Sequence, residues 1–282
     1  MIAWYYLAIL SSLFMGLSTI VEKKALKTEH PTAYSASFAT IIAIVSLVFI
    51  PWAKFNISIY AVAILYVLSL ISTSTYILSA KVYKHSSISV ATPILSSLPM
   101  FFVVILAFAF LGEKLSLVQY ASIAVLIIST YFILSNNDGP KRKYIVMLIL
   151  ISFLSGIGFT VTKYLLGGEV NAFAFLILSE IFIAFNMLVY ISVKFGGVRE
   201  IAANVKANKV PILAIVALAI AYRLTFYFAL YTAPVSLAQP LRNTVNILLI
   251  VVGGGILFNE GGISKKLVLA LIMVACAYVL VA

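Results

Sequence analysis

Acidic side chains are scarce in this chain. Only 8 of its 282 residues are Asp or Glu, Asp138 is the lone aspartate, and the charged types together make up 10% of the sequence. A soluble domain covers its surface with about 25% charged residues, so lipid must be the solvent for most of this chain. A single cysteine, Cys276, excludes an intrachain disulfide and a cysteine-rich metal site. His30 and His85 stand at loop edges without a partner at ligand spacing, so neither a metal nor a cofactor is expected. Neither a Gly-x-Ser-x-Gly elbow nor a His-Glu-x-x-His pair occurs, which leaves an intramembrane enzyme without its chemistry. The first ten residues lack the basic start and small-residue cleavage site of a signal peptide, so the first segment is expected to be retained.

What the chain does have is apolar length. It is 64% hydrophobic, with a mean hydropathy of +1.17. Breaking the apolar runs at charges, Pro and Gly gives ten segments, near 3–22, 32–52, 57–80, 86–110, 116–134, 144–163, 171–194, 210–231, 235–258 and 264–282. At roughly 20 residues per crossing, ten crossings leave only short loops and no extramembrane domain. The net charge of +11 comes from cations in the connections rather than along a soluble face, which argues against a nucleic-acid partner. Fourteen of these cations fall in odd-numbered connections and three in even-numbered ones. By the positive-inside rule both termini would then lie outside.

The polar linker at 136–143 separates two halves, 1–135 and 144–282. A shift of 147 lays Pro93 on Pro240, Glu113 on Glu260 and Tyr131 on Tyr278, and a shift of 140 lays Ser12, Gly16, Val21 and Lys23 on Ser152, Gly156, Val161 and Lys163. Because five segments is an odd number, the second half enters the membrane from the opposite side. The expected fold is therefore an all-α membrane protein of ten transmembrane helices, built as two inverted-topology five-helix repeats.

The run Ser89-Val-Ala-Thr-Pro-Ile-Leu-Ser-Ser-Leu-Pro99, followed by Phe110-Leu-Gly-Glu-Lys-Leu-Ser116, resembles the fourth-to-fifth helix signature of the EamA family in the drug/metabolite transporter superfamily. Ser236-Leu-Ala-Gln-Pro240 with Phe258-Asn-Glu260 is similar but degraded. The resemblance implies a carrier of small metabolites. It also implies cytoplasmic termini, opposite to the charge count.

Polar stripes on membrane helices must face protein or water. They place a cavity among segments one, three, four, six, eight and nine, and leave the featureless segments five and ten to face lipid or a second copy in a homodimer. Gln239, Arg242, Asn243 and Asn246 share one face of segment nine, while Arg223 and Tyr227 project from segment eight. Together with Tyr76 and Ser96 these are the candidate substrate-binding residues. Under the 147 shift Arg223 falls on Tyr76 and Arg242 on Leu95, so the scaffold itself needs neither cation. Guanidinium suits carboxylate or phosphate, and the solute is expected to be anionic or zwitterionic. Glu180 is the candidate ion-pair partner of one arginine, and Glu22 a candidate coupling residue. Pro93, Pro99 and Pro240 lie inside segments four and nine as candidate hinges. The function expected is a secondary carrier in the cell membrane that moves an amino acid or other organic anion by alternating access. An intramembrane enzyme and a receptor or assembly protein are the alternatives; substrate identity, direction and coupling ion stay open.

Overall fold

A computed structural model describes residues 3–26, 30–134, 142–194, 198–207, 209–258 and 263–281. The described residues form helices and no strand. In chain order they are α1 (Trp4–Leu26), α2 (Pro31–Ser46, continued by a 3-10 turn Leu47–Trp52), α3 (Ile59–His85), α4 (Ile88–Leu106, continued by a π turn Ala107–Leu111) and α5 (Leu117–Leu134). Then come α6 (Arg142–Leu166), α7 (Ala172–Lys194), the short α8 (Val198–Ala207), α9 (Lys209–Thr232), α10 (Val235–Phe258) and α11 (Ile263–Val281). Eight of these helices are long and apolar enough to cross a bilayer. In hydrocarbon only a helix satisfies its own backbone, which is why near-continuous apolar runs settle here as helices rather than as strands.

Segments one and three, expected near 3–22 and 57–80, run on as α1 to Leu26 and as α3 to His85. The Lys23 ammonium escapes the cost of burial by donating to the carbonyls of Tyr83 and Ser86, the latter at 2.6 Å, at the C-terminal end of α3. The connection 195–209 was read as a plain loop and contains α8. Most of the linker 136–143, and Glu260, fall outside the described residues.

Packing partners come in matched sets. Helix α1 packs on α9 and α10, and α6 packs on α3 and α4; α4 crosses α10, α2 packs on α7, and α5 on α11. Glycine permits two of these crossings. A Cβ on Gly16 would lie 2.9 Å from the Leu249 side chain, and one on Gly156 would lie 2.5 Å from Phe102, closer than real Cβ contacts come. A Cβ on Gly253 of α10 would meet Ile20 of α1 in the same way, at 2.8 Å.

The ends of the helices are tied by side chains that satisfy orphan backbone groups. Glu113 follows the left-handed Gly112 that ends the π turn, and its carboxylate accepts from the N–H groups of Val235 and Ser236, each at 3.0 Å, at the start of α10. Lys163 donates to the Leu230 carbonyl at 2.5 Å, near the end of α9. On the same end of the bundle Glu169 accepts from the Ser58 N–H at 3.0 Å, and hydrogen bonds from Ser58 hold its carboxyl below the ordinary value. Lys23 and the connection from α3 to α4 lie at the opposite end.

Candidate functional site

Eight helices wall a central cavity of about 300 Å³. They include the six expected from the polar stripes. Helices α2 and α7 also line it, through Tyr34, Ser35 and Phe38 and through Phe175, Ser179 and Glu180, which corrects the narrower expectation. Among the described residues none of α5 or α11 lines it. The α2 wall was missed because its serines and tyrosine sit among alanines and isoleucines, with no charge to mark a face.

The two arginines line this cavity in different states. Arg223 of α9 is ion-paired to Glu180 of α7 and donates to the Tyr76 hydroxyl of α3; it is 7% exposed and Glu180 1%. Its charge is thus neutralised within the protein. Arg242 of α10 is 4% exposed. Its guanidinium donates to the Met15 sulfur at 3.1 Å and, weakly, to Gln239 Oε1 at 3.5 Å, and its Nε has no partner. No carboxylate pairs with it among the described residues.

Aromatic rings do part of the work of a counter-ion at Arg242. The guanidinium carbon lies 4.3 Å from the Phe226 ring centroid, 5.3 Å from Tyr222 and 5.8 Å from Phe159. Each such contact is worth about 0.5–2 kcal/mol, so the set rivals the roughly 2.5–3.5 kcal/mol that an arginine costs at mid-bilayer. Ring faces take up no N–H group, and an arginine carries five donors, more than the Met15 and Gln239 contacts use. Arg242 lines a cavity with room for a small anion. Tyr222 also lies 5.7 Å from Arg223, so one ring separates the paired cation from the unpaired one. Tyr222 and Phe226 were not singled out as site residues, since aromatics at helical spacing look like core in so apolar a chain.

The remaining candidates divide. Gln239, Asn243, Tyr76 and Tyr227 line the cavity with the arginines, and so do Glu180 and Glu22. Glu22 is half-buried on α1, seven residues beyond Met15 and thus about 10 Å along the helix axis. Asn246 and Ser96 do not line it. Instead the Asn246 amide donates to Ser96 Oγ at 3.3 Å and the Asn243 amide to the Ser96 carbonyl at 2.6 Å, which fastens α10 to α4. Helix α4 runs on through Pro93 and Pro99, and α10 through Pro240.

A second hollow, about 620 Å³, is lined by Ser58, Glu113, Lys163 and Glu169 at the Glu113 end of the bundle. Among the described residues no group of three or more His, Cys, Asp or Glu is placed to hold a metal.

A solved crystal structure aligns with 97% of this chain and 95% of its own, at a TM-score of 0.67 and 12% identity, a likeness of fold alone. A comparison with curated proteins finds no match. The EamA-like transporter family matches residues 2–135. Over those residues, just under half of its length, this multi-pass helical chain is similar to the EamA-like transporter family of the drug/metabolite transporter superfamily, which suggests a membrane transporter of small molecules.

Proposed function

We propose that the chain is a secondary carrier of a small anionic or zwitterionic metabolite, an amino acid or another organic acid, working by alternating access across the cell membrane. The observation that carries this reading is Arg242: a buried guanidinium on the cavity wall with a spare donor and, among the described residues, no carboxylate paired with it. Arg223 is the weaker candidate for the anion, because Glu180 already neutralises it.

Alternating access needs two arrangements of related parts, and the reading rests on two inverted five-helix repeats, 1–135 and 144–282, with α5 and α11 as the ninth and tenth spans. Several contacts support the repeat. Tyr76 and Arg223 touch, and so do Ser96 and Asn243, each pair being 147 positions apart. A residue can meet its own repeat mate only on the axis that relates the copies. Lys23 bonds the Tyr83 carbonyl and Lys163 the Leu230 carbonyl, positions again 147 apart. These lysines act at opposite ends of the bundle, as inversion requires. Pro93 and Pro240, mates on the two crossing helices, are the proposed hinges, and the outer faces of α5 and α11 are left for lipid or a second copy.

The test is Arg242→Gln in purified, reconstituted protein. The variant should keep the wild-type thermal unfolding profile and lose counterflow of anionic solutes. A lost charge-assisted hydrogen bond of about 1.5–3 kcal/mol weakens binding by roughly 10–150-fold. Wild-type affinity for an anionic solute in the folded variant would overturn the reading.

A further inference from the structure

The helix between α7 and α9 has two faces of different chemistry. On α8, Ile201 is 4% exposed and Val205, four residues on, packs beside it against Ala36 and Ala39 of α2 and Met187 and Ile191 of α7. The Ser37 hydroxyl of α2 reaches the Ile201 carbonyl at 3.5 Å. Arg199, Ala202 and Lys206, at i, i+3 and i+7, form an exposed stripe on the helix. Lys194 at the end of α7 and Lys209 at the start of α9 are exposed as well. Among the described residues none of these four cations is in an ion pair, and Glu200 is the one acid between positions 194 and 209.

Both neighbours of α8 are membrane spans, so the helix sits where hydrocarbon gives way to headgroups. A short helix there, apolar inward and cationic outward, has the pattern of an interfacial helix on anionic lipid. We propose that α8, with Lys194 and Lys209, is a docking surface for anionic phospholipid headgroups. Phosphates satisfy cations that have no ion pair among the described residues, and the inner face presses on α2, whose Tyr34, Ser35 and Phe38 line the cavity. This surface is independent of what the carrier moves.

The full chain in neutral detergent is titrated with dioleoyl phosphatidylglycerol or dioleoyl phosphatidylcholine, and thermal unfolding is followed at low and high salt. Phosphatidylglycerol should raise the unfolding temperature above the phosphatidylcholine value at low salt, with the gap shrinking at high salt. The double variant Arg199→Gln, Lys206→Gln should unfold like wild type without added lipid and lose at least half of that gap. The charge-keeping variant Arg199→Lys, Lys206→Arg should retain the gap, which holds the test open if the glutamine variant folds poorly. Lys54→Gln, Lys114→Gln, at exposed positions of the opposite end, should retain it too. An equal gap in the α8 glutamine variant, loss of the gap in the Lys54 and Lys114 variant, no gap in wild type, or full reproduction of the shift by soluble glycerol phosphate would each overturn the proposal.

Discussion

At positions 147 apart the two halves of the chain put different side chains on the same cavity. The first half supplies Tyr76 and Leu95 where the second supplies Arg223 and Arg242. Elsewhere the halves agree: Gly16 and Gly156 open the crossings, and Lys23 and Lys163 close helix ends. The agreement is in groups the scaffold needs, because a Cβ clash or an orphan carbonyl is penalised identically wherever it arises. One difference with chemical consequence lies on the cavity wall. Both cations on the cavity wall therefore come from the second half, on α9 and α10, while each half supplies one carboxylate, Glu22 and Glu180.

The largest effect should come from splitting the internally paired cation from the unpaired one. Removing one member of a buried ion pair leaves an uncompensated charge and costs about 3–5 kcal/mol. Glu180→Gln should therefore lower thermal stability well below that of Arg242→Gln, measured side by side in the same detergent. Equal stability of the two variants would break the distinction between a scaffold arginine and a ligand arginine.

The matched lysines sharpen the comparison from the other side. Lys23→Met and Lys163→Met each remove a charged donor from a helix-end carbonyl, at about 1.5–3 kcal/mol apiece. Comparable losses in the two halves are expected in thermal unfolding. A loss on one side only would show that the capping is not shared by the two halves.

The smallest effect concerns the prolines. Each replaces a helix hydrogen bond with a point of compliance, so Pro93→Ala combined with Pro240→Ala should slow counterflow about tenfold, equal to roughly 1.4 kcal/mol on the barrier, with solute affinity kept. Unchanged rates would reduce these prolines to static shapers of α4 and α10.

Much of the helical frame was legible in the sequence, because a long apolar run has one stable answer in hydrocarbon. The expected segment 235–258 coincides with α10, and 171–194 differs from α7 by one residue. The arginine positions were legible for a related reason: a charge inside such a run is costly enough to stand out. Helix α8 was not, since ten mixed residues between spans carry no periodic apolar run long enough to separate from a loop. Nor were Tyr222 and Phe226, which read as core until a guanidinium is placed over their rings.

The sequence by itself determined the solvent, the helices and the chance that two buried cations serve a solute, because composition and charge cost act locally along the chain. Only the tertiary structure decided which arginine is which. Glu180 lies 43 residues from Arg223 and 62 from Arg242, and nothing in the order of residues says which it reaches. The packing of α7 beside α9 gives that carboxylate to Arg223. What is left at Arg242 is a cation held by ring faces on the cavity wall.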